Sequence, residues 1–216
     1  MIRKVLIIAA AVAMPVSAIA ATAGPAGAAV KVDATHYTVS CTGISATASF
    51  SPALTSAGAA TSNEATKIKG KASSCTAVPS SGGTPITVSG AKISGTINDA
   101  TSDHTCGGLA TATSETGSLT IKWKAKPALL SATSVVNPSS VVGNIGADGH
   151  ATFAISFGAA TSGPFQGTDN GTSSSTNAET TTTISQILTA CGGKKGLKSI
   201  KIQPNANGGG PAITAS

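Results

Sequence analysis

Residues 118–126 alternate with a period of two: Leu119, Ile121, Trp123 and Ala125 fall on one side, and Thr120, Lys122, Lys124 and Lys126 on the other. Successive side chains of an extended chain point to opposite faces, so this pattern specifies a strand with one apolar and one wet face. A helix would scatter the same residues around its axis. The period recurs along the chain. Tyr37, Val39 and Cys41 alternate with Thr38 and Ser40; Ile44, Ala46, Ala48 and Phe50 alternate with Ser45, Thr47 and Ser49; Thr66, Ile68, Gly70 and Ala72 alternate with Lys67, Lys69 and Lys71.

Further strands are expected beyond these. Ile86 and Val88 begin one whose phase flips at Gly90, after which Ala91, Ile93 and Ile97 form the apolar set, so Gly90 marks a bulge or sharp bend. Residues 129–136 read as a strand stopped by Asn137-Pro138. Residues 140–146 and 150–157 read as a hairpin around the turn Ala147-Asp148-Gly149, with Phe153, Ile155 and Phe157 inward. A strand over 165–168 is followed by 169–183, a Ser/Thr/Asn/Gly-rich surface loop. Then the period changes: Ile184, Ile187, Leu188 and Cys191 are spaced i, i+3, i+4 and i+7, with Gly192 at a C-cap position, which predicts a helix over 185–191. Residues 197–203 return to strand, with Trp123 as the expected core anchor. Eight or nine short strands with one short C-terminal helix predict an all-β antiparallel β-sandwich of immunoglobulin-like or related topology, a β-barrel being the alternative. The Cys, Trp, Cys order of true immunoglobulin domains is absent, so the comparison is one of architecture.

The first twenty residues set the compartment. Arg3 and Lys4 precede an apolar run over 5–14, and the small-x-small pattern Ala18-Ile19-Ala20 closes the segment, the grammar of a secretory signal peptide. The run is too short to cross a bilayer, which takes about 20 residues, and no second candidate follows. The expected organisation is a signal peptide over 1–20, a flexible Ala/Gly-rich stretch over 21–29, one domain over 30–203 and a tail over 204–216. The protein is thus expected to be secreted, extracellular or associated with the cell envelope. With 3% aromatic residues, one Trp and one Tyr, the chain lacks the girdles of a transmembrane barrel.

Export bears on the four cysteines, Cys41, Cys75, Cys106 and Cys191, since exported thiols tend to be oxidised. No C-x-x-C or H-x-x-x-H clustering suggests a metal site, and no cofactor is expected. Four cysteines allow three pairings. Antiparallel pairing with Ser49 opposite Lys67 keeps Phe50, Ala48 and Ile44 on one face with Ile68 and Ala72. Extrapolated, it puts Cys41 opposite Cys75. A slip by two residues would keep the same faces. Cys41 with Cys75 is the preferred pairing, leaving Cys106 with Cys191.

Candidate chemistry is sparse. His36 follows Asp33 by three residues; His104 sits in the cluster Asp103-His104-Thr105-Cys106-Gly107-Gly108; His150 falls on the polar side of its strand and reads as a solvated surface residue. There is no G-x-S-x-G elbow, and eight acidic residues form no suggestive pair. A hydrolase using His36 or His104 is one reading, but catalysis is not the expected role and no catalytic residue is assigned. The lysine stripes are more distinctive. Lys67, Lys69 and Lys71, and again Lys122, Lys124 and Lys126, each put three ammonium groups on one strand face. Were the two strands neighbours, six lysines would form a patch able to attract anionic envelope polymer. Solvation and protection of a strand edge are the plainer role for such lysines. The formal charge of +6 falls to about +4 once Arg3 and Lys4 leave, and no Arg then remains. Nucleic-acid recognition, which favours the guanidinium fork, is not expected. Asn170-Gly171-Thr172 fits a glycosylation sequon.

The signal peptide, Tyr37-Thr38-Val39-Ser40-Cys41-Thr42-Gly43, Thr120-Ile121-Lys122-Trp123 and Ala190-Cys191-Gly192-Gly193 together resemble small secreted proteins of high-GC actinobacteria. The resemblance implies an envelope or extracellular β-protein and carries no catalytic or binding residues with it. The primary expectation is therefore a secreted, disulfide-stabilised structural or binding module, with polyanion binding and hydrolysis as alternatives.

Overall fold

In the computed structural model, the structure describes residues 30–58, 64–79, 86–99, 105–110, 113–145, 150–165, 176–203 and 213–215. Among the described residues nine strands and one α-helix follow in order: β1 (Tyr37–Leu54), β2 (Glu64–Pro79), β3 (Thr87–Asp99), β4 (Thr113–Lys126), β5 (Thr133–Ile145), β6 (His150–Ser162), β7 (Thr176–Thr183), α1 (Ile184–Gly192), β8 (Leu197–Gln203) and β9 (Ile213–Ala215), with a single 3-10 turn at Gly108–Ala110 before β4. Each strand from β1 to β8 pairs antiparallel with its sequence neighbours, and the far edge of β1 takes both β8 and β9. The pairings lead back to their start, but β7 and β8 meet only at Glu179 with Gln203 and Thr180 with Ile202. The sheet is therefore folded over, sandwich-like, and is not closed into a barrel with continuous staves. The strand order is up-and-down, so any likeness to immunoglobulin domains is in architecture and not in connectivity.

The register of β1 on β2 is the expected one, among those that face matching allows. Ser49 lies opposite Lys67, Ile44 opposite Ala72 and Cys41 opposite Cys75. The two cysteines are bonded, with Cα atoms 3.9 Å apart. Near this bridge both strands shift phase together. Cys41 and Ile44 are both buried on β1, and on β2 the half-buried Cys75 follows the buried Ala72 by three residues. Ser74 supplies the twist through a left-handed backbone (φ 53°). Further along, Gly70 lets β1 and β2 approach: a Cβ there would lie 2.7 Å from that of Ala46.

Gly90 is the bulge expected from the phase flip. The β3–β4 register changes between Val88 and Gly90, where φ is +150° and a Cβ would lie 2.5 Å from the Ala72 carbonyl oxygen. Both segments of β3 consequently turn their apolar residues inward, Ile86 and Val88 before the bulge and Ala91, Ile93 and Ile97 after it. They join Val39, Ile44, Ile68, Leu119, Ile121, Val136 and Ile202 in the main core. Trp123 is 4% exposed at its centre and meets the Phe165 ring edge-on, with centroids 4.9 Å apart. Its indole Nε1–H donates to Ser134 Oγ at 2.8 Å, and that hydroxyl donates to the Pro164 carbonyl at 2.6 Å. This relay satisfies an indole and a hydroxyl that would otherwise be buried without partners.

Two lids close the ends of the folded sheet. At one end, residues 30–36 form a strap: Val32 N–H donates to Ala128 C=O, Leu130 N–H to Val32 C=O and Phe165 N–H to Ala34 C=O, each at 2.9 Å. At the other, α1 buries Ile187 and Cys191 against Leu54, Leu197 and Ile200. Its start is fixed by a capping box: Thr183 Oγ1 accepts from Gln186 N–H at 3.3 Å, and Gln186 Oε1 accepts from Thr183 N–H at 3.0 Å. Cys191 is bonded to Cys106, tying the lid to the segment before β4.

Several sequence expectations need correction. The strand entering Asn137-Pro138 does not stop there. β5 runs from Thr133 to Ile145 and absorbs the proline as a register irregularity around Pro138. Leu129 belongs to an isolated bridge with Val32 and not to that strand. Residues 176–183 are not loop; their β-branched threonines form β7 between β6 and β8. The tail contributes β9, and the helix extends one residue further at each end, capped by an extended Gly193 (φ −78°) while Leu188 turns outward. Phe165 is buried outside any strand, with φ +60°. The turn Ala147-Asp148-Gly149, the side chains of Phe153, Ile155 and Phe157, and the segments 1–29 and 166–175 lie outside the described residues, although the β5–β6 hairpin itself is present.

Replacing Ser134 by Ala strands the indole N–H in the core and should cost about 1–3 kcal/mol. Ser131→Ala, at an exposed position, should cost far less, as urea unfolding followed by Trp123 fluorescence will report. Reduction should add about four hydrogens by mass. In the chain-entropy account, loss of the Cys106–Cys191 bridge, spanning 85 residues, costs about 4.5 kcal/mol, and loss of the 34-residue Cys41–Cys75 bridge about 4. Paired Cys→Ser variants in the same unfolding assay will show whether the longer loop matters more.

Candidate functional site

Sorting by the alternation of each strand separates a core face from an outer face of narrow composition. Its outward positions are Ser45, Thr47 and Ser49 on β1; Lys67, Lys69 and Lys71 on β2; Lys92, Ser94 and Thr96 on β3; and Ser118, Thr120, Lys122, Lys124 and Lys126 on β4. Ser199, Lys201 and Gln203 on β8 extend it. At these described positions only lysine, serine, threonine and glutamine occur; Ala65 on β2 and Asn98 on β3 continue the same alternation, and β7 brings the position of one carboxylate, Glu179, opposite Gln203.

The two predicted lysine stripes are not on neighbouring strands, because β3 runs between them. They are nonetheless joined. Lys71 lies directly opposite Lys92, and Lys92 directly opposite Lys122, making one row of three ammonium groups across three strands. All three are exposed. The row continues to Ser45 on β1 and Thr133 on β5, so neither end meets an acid. Lys69 stands between Thr47 and Ser94, and Lys67 between Ser49 and Thr96. On the same strands Glu64, Asp99 and Glu115 share one register row at the opposite end, with Glu64 seven residues or about 24 Å from Lys71. Like charges directly opposite one another destabilise a sheet, so the fold carries this row at a cost. Lys124 and Lys126 lie beyond the bulge, opposite Gly90 and Thr87.

Lys92 and Lys201 are absent from the sequence prediction. Lys92 is a lone cation in a strand of Ser, Gly and Ile, and Lys201 sits over a hundred residues away; nothing in either neighbourhood shows that the topology brings them to the stripes. With them, the face includes a depression of about 710 Å³, bordered by Lys69, Lys71, Lys92 and Lys201 together with Ser45, Thr47, Ser94, Thr181 and Gln203. Ala46, Gly70, Ile93 and Ile202, at the alternate positions of the same strands, also line it.

The histidines converge on nothing comparable. His36 is exposed in the strap. Its neighbour Asp33 is engaged in its own turn, accepting from Thr35 N–H at 3.0 Å. The Thr35 backbone and hydroxyl hydrogen bonds hold that carboxyl below the usual carboxylate range, with a smaller contribution from the charge of His36. His150 is half-buried opposite Thr183 at the start of β6 and not a solvated surface residue. His104 and Asp103 lie outside the described residues. Among the described residues no three His, Cys, Asp or Glu side chains gather as metal ligands, and no helix is long and apolar enough to cross a membrane. No protein-family model, curated protein or solved structure matches the chain.

The crowded row makes a prediction about stability. Lys92→Gln relieves two like-charge contacts and should raise stability by about 0.3–1 kcal/mol at low ionic strength. The gain should fade as added salt screens the row. Urea unfolding of the variant and the parent at low and high salt measures it, and destabilisation at low salt would contradict the electrostatic account.

Proposed function

We propose that the chain is exported and works outside the cell or at its envelope as a disulfide-stabilised binding module, taking an anionic polymer on the lysine face of β2, β3 and β4. The observation that carries this reading is the row Lys71, Lys92 and Lys122, three like charges in direct register with no carboxylate beside them. Lysines that serve solubility alone need no such alignment, whereas a polyanion lying on the row relieves the repulsion and gains attraction from each ammonium group. The bridges Cys41–Cys75 and Cys106–Cys191 support an oxidising compartment. The signal-peptide grammar of residues 1–20 supports the same destination.

Chromatography on an immobilised anionic polysaccharide provides the test. The mature protein should be retained at low salt and released as salt rises. The variant Lys71→Gln/Lys92→Gln/Lys122→Gln should elute with unretained protein while keeping its circular dichroism spectrum. Retention that survives this change would remove the face from consideration.

A further inference from the structure

At the β8, β1, β2 and β3 end of the lysine face lies a shallow, open depression, with Lys124 and Lys126 outside its rim. As at Lys67 between Ser49 and Thr96, charge here mixes with neutral polar groups: four lysines, Lys69, Lys71, Lys92 and Lys201, alternate across the strands with hydroxyls, of which Thr47 separates Lys201 from Lys69, and Ser94 follows Lys69 onto β3. From Lys201 to Lys92 the trough crosses three strand spacings, about 14 Å, while along each strand it occupies little more than one alternation, about 7 Å. It is long across the strands and narrow along them.

We infer that this trough is the recognition site for an anionic sugar chain lying across the strands, a few linked rings whose carboxylates or phosphates meet the ammonium groups and whose ring hydroxyls meet Thr47, Ser94 and their neighbours. The inference rests on the polyanion reading of the same face and narrows it to one ligand class. A bare polyanion needs only charge and would leave half-buried Thr47 without a purpose in the trough. A single-stranded nucleic acid requires aromatic platforms for its bases, and none stands on this face. Lysine in place of arginine suits the class, since point charges on flexible stems accept either anion without demanding a planar, bidentate partner. Each hydroxyl both donates and accepts, as do those of a sugar ring, so the trough offers complementary partners along its length.

Titration calorimetry of the mature protein can separate these alternatives. Three probes are used: oligogalacturonates from dimer to hexamer, which carry carboxylates; a sugar-phosphodiester oligomer, which carries phosphates; and inorganic polyphosphate of matched charge, which has no ring hydroxyls. Thr47→Val/Ser94→Ala keeps every lysine and should weaken whichever sugar oligomer binds by about tenfold, leaving polyphosphate unchanged. Lys201→Gln, on β8 and apart from the lysine stripes, should weaken the sugar oligomer several-fold, against less than about twofold for Lys124→Gln/Lys126→Gln outside the rim. Affinity should rise with oligomer length and level off once a few rings span the trough. The inference is overturned if the hydroxyl variant binds the sugars as the parent does, or loses polyphosphate equally. In either case retention on anionic polymer would persist and the broader reading would stand. If the parent binds none of the three probes, both fail.

Discussion

The pairing of β1 along β2 is the constraint from which the rest follows. It spans Tyr37 to Ser51 on one strand and Ala65 to Pro79 on the other, and its register fixes at once which residues are inside, which cysteines meet and which way the lysines point. A slip of one residue would turn Lys67, Lys69 and Lys71 into the core and expel Ile68 and Ala72. The bridge between Cys41 and Cys75 locks that choice covalently, and the close approach at Gly70 leaves no room for a side chain there. With β2 placed, β3 and β4 follow as successive hairpins, and Lys92 is brought between two stripes that lie fifty residues apart in the chain.

Core and surface are thus two readings of one alternation. Each inward Ile or Leu dictates an outward neighbour one position along, and on β2, β3 and β4 those neighbours are lysine, serine, threonine and one asparagine, Asn98. The inner face is closed by Trp123, whose indole is satisfied only through Ser134 and the Pro164 carbonyl. The outer face is left electrostatically uncompensated. The two lids, the strap of residues 30–36 and the disulfide-tied α1, cover the ends, and neither lines the depression on this flank.

Much of this was legible wherever a local pattern carried the information. Period-two runs marked the strands, the faces of 44–50 and 66–72 narrowed the register to a few that differ by slips of two residues, one of which joins Cys41 to Cys75 and leaves Cys106 to Cys191, and the phase flip at Gly90 marked the bulge. The strands that escaped notice had no apolar alternation to show: β7 is Thr-Asn-Ala-Glu followed by four threonines, and β9 is three residues whose only reason to be extended is the edge of β1. Asn137-Pro138 misled because a proline does end a regular strand; here the ladder with β6 is irregular at that point and the missing donor is tolerated. Of the candidate face, the stripes were visible and the row was not. A row belongs to no segment, and Lys92 and Lys201 acquire meaning only from strands that the chain places beside theirs.

The far edge of β1 is filled by β8 and β9, the last two of the described strands, while its near edge is filled by the strand that follows immediately. A chain growing from its N-terminus therefore presents β1 with one row of backbone donors and acceptors unpaired until residues 197–203 and 213–215 have been made. An open edge of this kind invites pairing with other chains. Covering that edge therefore waits on β8 and β9: a chain cut short before Leu197 would keep Val39, Cys41 and Ala48 on an uncovered edge.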